Sequence, residues 1–198
     1  MHFKYSDAQS ALFDKSFTIY KLVEESSDIL QKLISIFHNN LDIRHSTWPE
    51  NTYTKNVLES RKRVTTYMIM NSLPYYHILL CDINCNIDYD VTDYVVNDKW
   101  IVGYAIVKPC KETYFAIHMF DIFLNGHNFG EYLYKTLCKI YNNNLLLHNV
   151  LVSRIEYWSK LDAFTNIKNI LSNLSEADKI NFLKNNLNLN EEVISYIT

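Results

Sequence analysis

The sequence has 198 residues, of which 48% are hydrophobic and 21% are charged, a length and composition that suit one globular domain. Its 19 basic and 22 acidic residues give a net charge of −3, which excludes a protein that binds nucleic acid by bulk attraction to phosphate. The chain contains 15 Tyr and 22 Asn but only 3 Gly. Phosphate-binding loops need glycines, because glycine adopts positive φ at little cost. With so few glycines, the chain is expected to form few such loops.

The apolar residues predict a protein that does not enter a membrane. No stretch approaches the roughly 18 uninterrupted apolar residues that a membrane-spanning helix needs. The first ten residues, MHFKYSDAQS, lack the apolar core of a secretory signal peptide. We therefore expect synthesis in the cytosol without a signal peptide.

The first 72 residues are predicted to be a helical region. Apolar residues recur with helical spacing up to Asn39-Asn40 and predict one long amphipathic helix, whose weakest point is 24–27. The segment 46–50, with Pro49 in the first turn, predicts a second helix that ends near Asn71. A projecting N-terminal helix is a candidate arm for exchange with a neighbouring copy, and a helix folded onto its own domain is the alternative.

The rest of the chain is predicted to be a small sheet with helices at 73–164, followed by C-terminal helices at 165–198. The predicted strands are 75–80, 100–107, 113–120 and 145–152, and an acidic segment, 84–98, is predicted to be a surface loop. The predicted helices are 129–142, 153–164, 166–171, 176–185 and 191–197. Ser175 and Asn190 are expected to cap the last two. The sequence thus predicts a predominantly helical α+β fold with a long N-terminal helix, a small central sheet and a C-terminal helical extension.

Four cysteines are too few for a disulfide scaffold at this length. His77, Cys81 and Cys85 are spaced four residues apart and are possible zinc ligands. A structural zinc site needs four ligands, and Cys110 would have to supply the fourth from another strand. We therefore expect no metal site. No serine-hydrolase, zinc-protease or nucleotide-loop motif occurs, so the sequence assigns no catalytic residue.

Residues 99–164 resemble the GCN5-related N-acetyltransferases. A predicted hairpin is followed by Asn125-Gly126-His127-Asn128-Phe129-Gly130, which opens a helix, and later by the aromatic segment 157–164. In that family an (Arg/Gln)-x-x-Gly-x-(Gly/Ala) loop binds the coenzyme A pyrophosphate through its amides at a helix N-terminus. The resemblance implies acetyl-CoA as cofactor. The implied cofactor-binding residues are Asn125, Gly126, Asn128 and Gly130.

The sequence departs from the acetyltransferase pattern at three places. Asn125 stands where the family has Arg or Gln, and Asn128 replaces the first glycine of the loop. Asp162-Ala163 replaces the glycine that precedes the final Phe164. The side chain of Asn128 is expected to crowd the pyrophosphate, because the backbone must approach it closely. These departures count against catalysis.

The composition resembles that of viral occlusion-body proteins of the nudivirus polyhedrin type. Many Tyr and Asn with few Gly are typical of an AT-rich genome, and Tyr provides a large contact area with one polar group. The resemblance implies a structural protein that assembles with copies of itself into a crystalline lattice around virions, inside occlusion bodies of the host cell. It implies no nucleic acid, membrane or cofactor. The cysteines available for disulfides are Cys81, Cys85, Cys110 and Cys138.

The composition therefore favours structural self-assembly over an enzyme. The alternative is a cytoplasmic N-acetyltransferase that uses acetyl-CoA.

Overall fold

The structure is a computed structural model that describes residues 2–10, 15–22, 27–46, 55–71, 75–82, 95–96, 99–111, 113–123 and 128–198. The chain divides into two compact units. The first comprises Met1–Gly103 with Ile122–Leu124, and the second comprises Tyr104–Asp121 with Asn125–Thr198.

The described residues form an α+β fold, which confirms the predicted class. The strands are β1 His2–Ser10, β2 Lys15–Leu22, β3 Tyr76–Asp82, β4 Val95–Val96, β5 Lys99–Lys111, β6 Tyr114–Ile122 and β7 Leu145–Leu147. The α-helices are α1 Ser27–Ser46, α2 Lys55–Met70, α3 Phe129–Ile140, α4 Ile155–Lys160, α5 Thr165–Leu171, α6 Glu176–Asn181 and α7 Glu191–Ile197. A 3₁₀ turn at Val152–Arg154 precedes α4, and a π-helical turn at Phe182–Asn186 follows α6.

The N-terminal residues form a β-hairpin, so the prediction of one long helix over the first 40 residues is wrong. β1 pairs antiparallel with β2, and β2 pairs antiparallel with β3. Residues 17–20 are aromatic or β-branched, which favours a strand, and Ile19 is fully buried. Regular helical spacing of apolar residues begins only at Ile29. The helix accordingly begins at Ser27, next to the predicted weak point.

The core of the first unit is built on the apolar side of α1. Leu30, Leu33 and Ile36 are almost completely buried. The ring of Phe37 packs edge-to-face on that of Phe123, with centroids 5.6 Å apart. The predicted second helix is present as α2. Ser46 is the last residue of α1, and the remainder of the predicted start, 47–50, lies outside the described residues.

The second unit contains β6, α3 and β7 in that order. β5 and β6 are neighbouring strands joined by a two-residue connection, which allows only antiparallel pairing. β6 and β7 pair in parallel, so α3 is the crossover between them. Leu133 and Leu137 are fully buried on one side of α3, as its i, i+4 apolar spacing predicts.

The C-terminal helices occur where they were predicted. The backbone N–H of Asp178 donates to the Ser175 hydroxyl (3.3 Å), and that of Val193 donates to the Asn190 side chain (2.9 Å). Both predicted caps are therefore present. Several residues of this region belong to the core of the second unit. They are Ile167, Leu171, Phe182, Leu183, Leu187, Val193 and Ile197.

Two elements of the second unit are shorter than predicted. β7 ends at Leu147 rather than 152, because Asn149 has a φ of 51°, which a strand does not accommodate. α4 ends at Lys160 rather than 164, because Asp162 has a φ of 54°. The predicted acidic loop at 84–98 lies mostly outside the described residues, apart from the short strand β4, which pairs with β5.

Candidate functional site

The parallel pairing of β6 with β7 is short. Phe115 is paired with Leu145 and Ile117 with Leu147. The N–H of His148 donates to the carbonyl of Ile117 (3.1 Å), which is the last bond of this ladder. β6 continues past Ile117, but β7 does not accompany it. We use the term strand gap for residues 118–121 of β6, which lie beyond the residues paired with β7.

The chain after β7 is directed away from β6 by its own backbone. Asn149 has a positive φ of 51°, which turns the chain, and its N–H donates to the carbonyl of Leu187 (2.8 Å). Leu187 ends the π-helical turn of the C-terminal region and is fully buried. A left-handed residue and a distant hydrogen-bond acceptor together end the pairing of β7 with β6.

Two histidines meet at the mouth of the strand gap. His118 and His148 follow the paired residues Ile117 and Leu147, so the parallel register places them side by side on one face. Their rings stack with centroids 4.0 Å apart and planes inclined by 27°. Burial, followed by the charges of His148 and Lys108, lowers the pKa of His118 to about 4. Burial and then Lys108 also lower the pKa of His148, so both rings are neutral at neutral pH.

The first turn of α3 is the second part of the candidate site. Its N-cap residue, Asn128, is left-handed, with φ 54° and ψ 23°, and its side chain makes no capping hydrogen bond. Phe129 and Gly130 are buried directly behind it. The N-terminus of a twelve-residue helix carries a partial positive charge, which favours an anionic ligand.

An aromatic cluster connects α3, α4 and β6. The ring of Trp158 makes edge-to-face contacts with three others, Phe120 at 5.1 Å, Tyr134 at 5.6 Å and Tyr157 at 5.1 Å. These contacts fix α4 against the strand that borders the gap. The aromatic segment in which the resemblance was noted therefore has a packing role beside the site.

The predicted cofactor residues are only partly described. Asn128 and Gly130 lie together at the start of α3, whereas Asn125 and Gly126 fall outside the described residues. Asn128 has the left-handed conformation that a glycine in its place would adopt freely.

Of the candidate metal and disulfide residues that the structure describes, two lie in β3, one in β5 and one in α3. His77 is buried in β3, and Cys81 lies four residues further along that strand, which is about 13 Å away. Cys85 lies outside the described residues. Cys110 and Cys138 are half-buried thiols. In the described ranges, no group of three or more His, Cys, Asp or Glu side chains could hold a metal ion.

Sequence reasoning missed His118 and His148. Each follows an apolar run, Phe115–Ile117 and Leu145–Leu147, and is the first polar side chain after it. The available signal was a histidine directly after the apolar run in each of the two predicted strands, 113–120 and 145–152. The register that brings the rings together could not be read without the structure.

Comparisons of this chain with protein-family models, with curated proteins and with solved structures find no match. Among the helices that the structure describes, none has both the length and the apolar content needed to cross a bilayer.

Proposed function

We propose that residues 99–164 bind acetyl-CoA and that the protein is an N-acetyltransferase. The observation that carries this proposal is the end of the β6–β7 pairing at Ile117 and Leu147, combined with the start of the connecting helix after its N-cap Asn128. In open α/β sheets, ligands bind at the carboxyl ends of the strands, where helix N-termini also point.

The two halves of coenzyme A fit the two halves of the site. The pyrophosphate is an anion and suits the partial positive charge at the N-terminus of α3. The pantetheine arm is narrow, linear and rich in amide groups. Such an arm suits the edge of β6 in the strand gap, because an extended chain can bond to a strand edge as an added strand does.

The reaction transfers the acetyl group to an amine. The nitrogen of a neutral primary amine attacks the thioester carbonyl and forms a C–N bond, and the C–S bond breaks. The proton lost by the amine balances the charge on the coenzyme A thiolate, which leaves as the thiol.

Binding of acetyl-CoA is tested directly by thermal stability. At a concentration of 100 times Kd, a ligand that binds only the folded state stabilises it by about 2.7 kcal/mol. For a chain of this size that corresponds to a rise in Tm of roughly 5–10 °C. Hydrogen exchange should also slow at residues 118–121 and 128–131. A Tm and an exchange pattern that stay unchanged at millimolar acetyl-CoA would overturn the proposal.

Asn128 provides a sharper test of the binding geometry. Asn128→Gly keeps the left-handed conformation and removes the Cβ that crowds the pyrophosphate, so acetyl-CoA should bind more tightly. The control is Asn142→Gly, at the C-terminal end of the same helix, where φ is 51°. This variant should leave the affinity unchanged. Calorimetric titration of both variants checks the expectation, and equal affinities for both would contradict it.

Self-assembly into an occlusion body stays the competing prediction from composition. Expression of the native sequence in cells separates the two hypotheses. Micron-sized intracellular crystals, together with no response to acetyl-CoA, would favour the lattice. A soluble protein stabilised by acetyl-CoA would favour the acetyltransferase.

A further inference from the structure

The helix α2 contacts its neighbour α1 through polar groups. The ammonium group of Lys62 pairs with the carboxylate of Asp42 at 2.8 Å. The Nε2 atom of His38 lies 3.0 Å from the Thr66 hydroxyl. Within α2 the buried residue is Ile69. The side of α2 that faces α1 is therefore largely polar.

Five large apolar side chains of α2 are exposed. The exposed fractions are 40% for Val57, 55% for Val64, 69% for Tyr67, 40% for Met68 and 45% for Met70. A surface helix normally buries its apolar stripe and exposes its polar one. Large apolar side chains exposed together on one helix are typical of an interaction surface.

The exposed stripe follows the heptad spacing of a coiled coil. With Val57 at position a, Val64 is the next a residue and the d residues are Ser60 and Tyr67, so three of the four seam positions are apolar. The flanking e and g positions include Arg61 and Arg63, which are both exposed. Lys55 falls at position f, on the side away from the stripe. The apolar seam is therefore bordered by positive charge.

We propose that this face of α2 docks an amphipathic helix of a partner protein that carries Glu or Asp beside its own apolar stripe. Opposite charges at e and g positions select the partner in helix pairs. In a second copy of this chain, the e and g positions of α2 contain Asn56, Met68 and Met70 besides the two arginines. No acidic side chain of α2 would stand opposite the arginines, so the charges favour a different protein.

Two synthetic peptides test the proposal with the full-length chain. Each has four heptads with Ile at a and Leu at d. One carries Glu at every e and g position, and the other carries Lys there. In fluorescence anisotropy the Glu peptide should bind at least about tenfold more tightly than the Lys peptide, with a difference that shrinks as salt is added.

Variants of the chain show whether the peptide occupies this face. Val64→Asp should weaken binding of the Glu peptide at least about tenfold, because it places a charge in the apolar seam. Tyr67→Ser is a second, milder seam variant, and far-UV circular dichroism confirms that both remain folded. Arg63→Glu should weaken binding of the Glu peptide, whereas Lys55→Glu, the same charge change at position f, should alter it less.

Several results would overturn the proposal. These are equal binding of both peptides, binding of neither, and a Glu-peptide affinity unaffected by Val64→Asp. A dimer in analytical ultracentrifugation that Val64→Asp disrupts would assign the face to a second copy. Sedimentation with vesicles containing anionic lipid, without peptide binding, would assign it to a membrane surface.

Discussion

At the scale of single residues, asparagine takes the positions in which a left-handed backbone is required. In the described part of the chain, the non-glycine residues with positive φ are Asn128, Asn142, Asn143, Asn149, Asp162 and Asn188. After α3, the N–H of Asn143 donates to the backbone carbonyl of Cys138, and the N–H of Asn142 donates to that of Lys139. These two bonds form a Schellman cap. Asn and Asp tolerate this conformation better than other residues with a side chain. The chain thus forms its turns with few glycines.

Substitutions of Asp162 measure the backbone strain in such a turn. This residue follows α4 in a Schellman cap, in which the N–H of Ala163 donates to the carbonyl of Trp158 (3.0 Å). Asp162→Gly should stabilise the folded protein by less than about 1 kcal/mol. The free energy gained by relief of backbone strain exceeds the free-energy cost of the larger conformational entropy of the unfolded chain. Asp162→Val should destabilise by about 1–2 kcal/mol. Urea unfolding measures both, and the opposite order of stabilities would contradict the interpretation.

His118 makes stability depend on pH. Its pKa falls from 6.5 to about 4 on folding, so the unfolded chain binds the proton more readily. The stability that this neutral ring contributes is therefore complete above pH 6.5 and is lost as the pH falls towards 4. His118→Gln should flatten that part of the pH profile of urea unfolding. An imidazole that titrates near 6.5 in the NMR spectrum of the folded protein would rule this out.

At the scale of elements, local signals determined how well the sequence predicted each one. From residue 75 onwards, β-branched runs, amphipathic spacing and caps at Ser175 and Asn190 agreed with one another, and the predicted elements occur. The N-terminal hairpin was missed because β2 pairs with β3, more than 50 residues away in sequence, and no local pattern encodes that pairing. The strand gap was missed for a similar reason, since it depends on the contact between Asn149 and Leu187.

The cap of α7 gives a prediction for a whole helix. The side chain of Asn190 accepts the N–H of Val193, and a helix of only seven residues depends on such a bond. Asn190→Ala should destabilise the protein by about 1 kcal/mol. Ser195→Ala, at an exposed position of the same helix, is the control and should change stability by less than about 0.5 kcal/mol. Equal effects in chemical denaturation would show that the cap contributes nothing.

At the scale of the whole molecule, the C-terminal region completes the second unit. The bond from Asn149 to Leu187 joins the end of β7 to the turn after α6. Leu183, Leu187 and Val193 are fully buried. The C-terminal helices are therefore a structural part of the unit that holds the candidate site, and the shape of the strand gap depends on them.

Leu187 connects the C-terminal core to the site. Leu187→Ala should destabilise the protein by about 2–5 kcal/mol, because it removes buried methyl groups and leaves a cavity. Ile180→Ala, at a position that is 53% exposed, should have a much smaller effect in the same urea titration. Leu187→Ala keeps the backbone carbonyl that accepts from Asn149 but loosens the packing that positions it, so acetyl-CoA binding should also weaken. An unaltered affinity for acetyl-CoA in a folded Leu187→Ala protein would show that the turn at Asn149 does not influence the site.

The left-handed asparagines also affect how the protein can evolve. In the genetic code an Asn codon is one base from an Asp codon, and an Asp codon is one base from a Gly codon. Both steps keep a residue that tolerates positive φ, so each turn can reach glycine through functional intermediates. Asp162 already stands at the middle step. Because distant turns act almost independently, the substitutions add, and the chain holds a reserve of thermal tolerance that single-base mutations can release.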